Sequence, residues 1–194
     1  MAEPMIKGAA IRELFAWYEE TRGKGRVREA VRRVPEDLRP LLDPDEPRVT
    51  LLPASWYPCR LVHSMLESLK EGMSDAEFDA LLREGTRAVI LRGIAAYRFV
   101  LEKIVTPEIY ALMVPRFWRQ LHSTGVRRMK IVGPNEARSV TAKWPGHHPL
   151  LCTLTIETMC ALFERMGKRD LQWERVKCVS SDGGDECVTR LTWK

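Results

Sequence analysis

The residues best suited to chemistry are cysteines. Four of the five lie between residues 152 and 187. Cys178 and Cys187 flank the segment SSDGGDE, a strong hairpin turn by its composition. In an antiparallel pair, two such positions can face each other. Cys152 falls in the first turn of the helix expected before them, and Cys160 about two turns further on. Three thiolates meeting one carboxylate or imidazole make a closed tetrahedral zinc site. Glu174, Asp170 and His148 are the candidate fourth ligands, Glu174 being four residues before Cys178. The competing reading is that these thiols pack in a core, as cysteines commonly do. Their spacings are not those of a zinc finger.

The aromatic residues suggest a second kind of site. Trp118 on a helix, and Trp144 and Trp173 on strands, could join Met113 and Phe117 as walls of a pocket for a small apolar ligand. Core packing is the competing account for each ring. Catalytic signatures are missing from the sequence. It has no G-x-S-x-G elbow and no glycine-rich phosphate loop of either common type. His147-His148 follows a Pro-Gly break and reads as a turn or helix-start contact rather than a base. The expectation is a protein that binds and does not catalyse.

Elements that must position these residues can be read from periodicity. Residues 5–22 carry Ile6, Ala10, Leu14, Trp17 and Tyr18 at helical spacing, and Gly23 and Gly25 stop that helix. A short helix follows from about Arg26 to Val34. A proline-rich loop, with an extended piece near Val49 to Leu52, leads to a helix over about 57–70. Ser74 with Glu77 forms a capping box that opens a long helix reaching about residue 104. Its Gly85 and Gly93 are tolerable if another backbone packs closely there. Thr106-Pro107-Glu108 opens the next helix, and Pro115 is expected to kink it or end its first half.

Beyond Gly125 the texture changes. Arg128 to Val132 and Arg138 to Trp144 read as one hairpin, and Leu171 to Val179 with Cys187 to Trp193 as another. The helix from Pro149 to Met166 stands between them. The fold class is therefore α+β: N-terminal helices packed with a C-terminal four-stranded antiparallel sheet, two hairpins flanking one helix. A single domain spans 1–194, with an N-terminal helical subregion over 1–48 and a sheet-plus-helix subregion over 126–194.

Composition limits the setting. The 194 residues are 45% hydrophobic and 29% charged, with a formal net charge of +5, which is ordinary for a globular domain of this size. No apolar run approaches the roughly 18–20 residues of a membrane span. The first residues lack the pattern of a secretory signal, and an odd number of cysteines fits reduced thiols in a cytoplasm. The densest basic run, Arg22 to Arg33, reads as a solvated helical face. Without a helix-turn-helix or aromatic-interleaved basic surface, nucleic acid is not an expected partner.

The stretch CVSSDGGDECVTRLTW from Cys178 resembles the ending of the 4-vinyl-reductase domain, also the sensory half of phenol- and toluene-responsive activators. That domain shares a fold with heme–nitric-oxide-binding (H-NOX) domains and TRAPP-type vesicle-tethering subunits. The opening IKGAAIRELFAWYEETRGKGRVREAV resembles the H-NOX start. Lys7-Gly8, Ser55-Trp56-Tyr57-Pro58, Pro107-Glu108 and the Trp-ending strand resemble a myxobacteria-restricted family of about this length. The phenol-sensor resemblance implies zinc held by Cys152, Cys178 and Cys187 with an acidic residue, here Glu174. Cys160 has no role in that pattern. The H-NOX resemblance would bring heme, which needs a proximal His and a Tyr-x-Ser-x-Arg motif. Tyr97-Arg98-Phe99-Val100-Leu101 does not supply the motif, and His63, His122 and His147 lack a suitable context, so the expectation is no heme.

The function implied is a cytoplasmic sensory or signalling domain that binds a small apolar molecule between helices and sheet. Zinc is the candidate cofactor, and homodimerisation through the helix over 74–104 is the candidate assembly. The alternative is a ligand-free scaffold or adaptor with a protein partner, as in the TRAPP-type relatives.

Overall fold

A computed structural model describes residues 2–23, 25–93 and 105–194. The first element is a strand, β1 (Met5–Lys7), and not the start of a helix. Gly8 explains the difference. A side chain there would run into the Leu52 carbonyl and the Tyr57 ring, because the loop over 52–55 closes on it through Gly8 N–H to Ser55 O and Ala9 N–H to Pro53 O. Helix α1 (Arg12–Arg22) begins after this turn and α2 (Arg26–Arg33) follows. β1 pairs antiparallel with β2 (Trp56–Pro58), which runs directly into α3 (Cys59–Lys70).

Helix α4 (Asp75–Gly93) starts at the expected capping box. Glu77 N–H donates to Ser74 Oγ at 3.3 Å and Ser74 N–H to Glu77 Oε2 at 2.8 Å. The remainder of the helix expected to reach 104, and with it part of the expected dimer surface and the Tyr97 motif, lies outside the described residues. α5 (Pro107–Leu121) is capped by Thr106, whose Oγ1 accepts from Ile109 N–H. Pro115 sits inside α5, which runs on to Leu121, so of the two expected effects it does not end the first half.

β3 (Val126–Gly133), β4 (Glu136–Ala142), α6 (Pro149–Arg165), β5 (Gln172–Lys177), a single helical turn α7 (Val179–Asp182) and β6 (Glu186–Thr192) complete the chain. The four strands form one antiparallel sheet in the order β3-β4-β6-β5. Alternation puts Arg127, Met129, Ser139, Thr141, Cys187 and Thr189 on the inward face and the charged residues Lys130, Arg138 and Arg190 outside. Helix α6 lies between that face and the helices α3 and α4. Its mid-point carboxylate, Glu157, is fully buried. Arg83 Nε (3.2 Å), Arg87 Nη1 (3.1 Å) and Trp173 Nε1 (2.8 Å) all donate to it.

Residues from both halves share one core, from Ile6, Phe15 and Trp17 to Phe163 and Leu191. Among the described residues no helix is long and apolar enough to cross a membrane.

Candidate metal centre

The turn between β4 and α6 carries His147. It is built by Lys143 at a positive φ of 51° and closed by His147 N–H to Trp144 O at 3.0 Å. The Trp144 ring stands edge-on to the imidazole, with centroids 5.4 Å apart. This places His147 Nε2 3.6 Å from Cys178 Sγ, and Cys187 Sγ lies 3.8 Å from Cys178 Sγ. The three donor atoms all fall within 4.8 Å of one another. Cys152, in the first turn of α6, lies beside Cys187. The two sulfurs and the imidazole nitrogen thus converge where the end of the sheet meets the start of α6.

The spacing has chemical meaning. Zinc at about 2.3 Å from sulfur and about 2.0–2.1 Å from imidazole nitrogen, tetrahedrally arranged, sets edges of about 3.8 Å between sulfurs and about 3.6 Å between sulfur and nitrogen. The observed 3.8 Å and 3.6 Å equal those edges in length. Surrounding groups hold the donors in place. Ser180 Oγ lies 3.1 Å from His147 Nδ1, which leaves Nε2 to face the sulfurs. Val179 N–H donates to Cys187 Sγ at 3.4 Å, and Cys178 N–H to Asp182 Oδ2 at 2.6 Å.

Burial pushes Cys59 and Cys160 up to about 12, so both are inert core residues. The hydrogen bond from Cys187 pulls Cys152 below the usual thiol value, and the same bond, with burial, holds Cys187 up to about 12.

Glu174 does not join the cluster, a correction to the expected ligand set. It points to the exposed side of β5, across from Arg190, because alternate residues of a strand face opposite ways. Asp170 pairs with Lys194 (3.0 Å) and His148 with Glu67 (3.1 Å). His147 is the donor that sequence reasoning set aside. The available signal was a histidine in the turn leading into the helix that starts with Cys152.

The expected pocket walls do not converge. Trp118 and Trp144 pack edge-to-face in the core at 4.9 Å, with His122 stacked on Trp118 at 3.9 Å. Trp173 lines a separate cleft of about 340 Å³ with Arg83, Arg87, Glu157 and Gln172, a polar and not an apolar setting. Met113 and Phe117 are partly exposed on α5.

No protein-family model and no curated protein matches this chain. Solved structures do match, H-NOX proteins among them. The structure described as "Probing the function of heme distortion in the H-NOX family" aligns at TM-score 0.68 and 12% identity, over 97% of this chain and 95% of that one. Fe(II) unliganded H-NOX protein from K. algicida aligns at 0.65 and 13%, over 97% of both chains. "Modulating Heme Redox Potential Through Protein-Induced Porphyrin Distortion" aligns at 0.63 and 13%, over 96% and 99%.

These neighbours overturn the expectation of no heme, because the fold seen here is one that proteins described by their heme adopt. This chain's four imidazoles are placed as follows. His63 bonds Gly146 O and stacks on His148, His148 also meets Glu67, His122 is sandwiched by tryptophans, and His147 faces the thiols. The fold of this chain is H-NOX-like.

Proposed function

We propose that this chain is a non-enzymatic sensory or signalling domain whose C-terminal half is held by a zinc centre of Cys152, Cys178, Cys187 and His147. The observation that carries it is the match of the Cys178–Cys187 and Cys178–His147 separations to the edges of a zinc tetrahedron. Four protein ligands leave zinc no open position, which makes the centre structural and not hydrolytic. The H-NOX-like fold supports the sensory reading. The phenol-sensor resemblance supports the three thiols, with an imidazole in place of the acidic ligand. All five cysteines are unpaired, which supports a reducing compartment such as the cytoplasm. The ligand sensed belongs to the polar cleft at Trp173 more readily than to an apolar pocket.

Metal analysis of the purified chain tests the centre. One zinc per chain is expected, with loss in His147→Ala and Cys178→Ser and retention in Glu174→Gln. A chain without stoichiometric zinc, or a Glu174→Gln variant that loses it, would sink this assignment.

One observation favours the adaptor as a second reading. Helix α5 presents Ile109, Leu112, Met113 and Phe117 along one exposed stripe, and Leu112 is 83% exposed. Light scattering of Leu112→Glu beside the parent chain tests it, and an unchanged mass with unchanged partner binding would count against an adaptor surface.

A further inference from the structure

Arg127 is a buried cation, 8% exposed, on the inward face of β3. Its Nε donates to Ser139 Oγ at 3.0 Å, its Nη2 lies 3.8 Å from Met159 Sδ, and its guanidinium lies 5.9 Å from the centroid of the Trp118 ring. Among the described residues no carboxylate pairs with it. A guanidinium out of water without an anion is costly, so such a residue calls for a counter-charge.

The register across the sheet sets a thiol in line with Arg127. Arg127 is paired with Thr141 on β4, and Thr141 with Cys187 on β6, so the three occupy one row of the inward face. The next inward row ends on Arg175, which is paired with Thr189 and donates to Thr153 Oγ1, the neighbour of Cys152, at 2.9 Å. Two guanidiniums therefore flank the thiols. Arg175 also has the Asp79 carboxylate in reach, whereas the ionisable groups around Arg127 are a phenol and thiols, Tyr110, Cys152, Cys160 and Cys187. A zinc dication with three thiolates and a neutral imidazole carries one net negative charge.

Resting on the zinc reading above, we propose that Arg127 is the buried counter-ion of an anionic metal–thiolate centre, a positioning residue that ligates nothing but makes the charged centre tolerable inside the fold. The donor set and the arginine are then two parts of one device. The thiolates supply the anion that the guanidinium lacks, and the guanidinium supplies the cation that three thiolates around one dication leave over. Metal binding discharges the cost of the buried arginine, and the arginine raises the affinity for the metal.

The test is a chelator competition for zinc on the full chain, with Arg127→Met and Arg127→Lys, together with thermal unfolding of metal-free and zinc-loaded protein. Arg127→Met is expected to bind zinc roughly 10–100-fold more weakly, the usual scale for an outer-shell partner, and Arg127→Lys to recover most of that. Metal-free Arg127→Met is expected to melt no lower than the parent, since the charge removed there had no anion. Equal zinc affinity in parent and Arg127→Met would overturn the inference while leaving the centre intact. Equal destabilisation of metal-free and loaded protein would reduce Arg127 to a packing role and also overturn it. A parent chain that takes up no zinc fails at the earlier step and removes the centre and its counter-ion together.

Discussion

At the scale of single residues, parity decides which side chains meet. Glu174 and Cys178 are four apart, and on an unbroken strand they would share a face. The pairing of β5 with β6 shifts register between Arg175 and Lys177, so the parity is lost just before the cysteine. Cys178 turns inward and Glu174 stays out. Nothing in residue types announces such a shift, which is why the thiols were legible in the sequence and their fourth partner was not. His122 offers a prediction at this scale. It is buried between Trp118 and Trp144, and burial, then the charge of Arg127, lowers its pKa to about 3 from 6.5. The unfolded chain takes up a proton below 6.5 while the folded chain stays neutral, so this contribution is complete above that pH and drains as pH falls toward 3. The expected slope is about 1.4 kcal/mol per pH unit in that window. Burial lowers His63 to about 4 and gives the same sign. Denaturant midpoints measured through the acid range should fall for the parent and fall less steeply for His122→Phe, which keeps an aromatic ring in the stack. Equal slopes would remove His122 as the source.

At the scale of elements, helices with strong local signals were legible. The Ser74–Glu77 box, the Thr106 cap and the start of α6 at Pro149 all stand where composition puts them. β1 was not, because three residues carry no period and the strand exists only through its pairing with Trp56–Pro58. Gly85 was read as a site of close backbone approach. The approach is real, but its partner is a side chain. A Cβ on Gly85 would sit 2.6 Å from the Trp17 ring and 2.7 Å from Leu14 Cδ1, which locks α4 onto α1. Gly85→Ala gains helix propensity, yet overpacking outweighs it, and a net loss of about 1–3 kcal/mol is expected by urea unfolding. A neutral or stabilising result would mean that Trp17 can swing aside.

At the scale of the whole molecule, polar ties cross between the helical half and the sheet half. Arg87 reaches from α4 to both Glu157 and Glu164 on α6, and His148 meets Glu67 on α3 at 3.1 Å. The α+β class and the order of elements could be read from the sequence because each half has its own periodicity. The contacts between halves could not, since they are set by packing among residues far apart along the chain. The turn that carries His147 is one such contact.

Gly146, one residue before that histidine, is pinned against the other half of the molecule. His63 Nε2 lies 3.1 Å from its carbonyl, and a Cβ there would meet Cys59 Sγ at 2.7 Å and Pro4 Cβ at 3.1 Å. Couplings between binding and packing are reciprocal. If metal at His147 steadies this turn, then the seam between N-terminal segment and turn must in return tune the metal affinity. Zinc should slow hydrogen exchange at the Cys59 amide, which touches no ligand, and Gly146→Ala should weaken zinc binding without altering a donor atom. The turn thereby makes the amino-terminal residues a reporter of what the thiols hold.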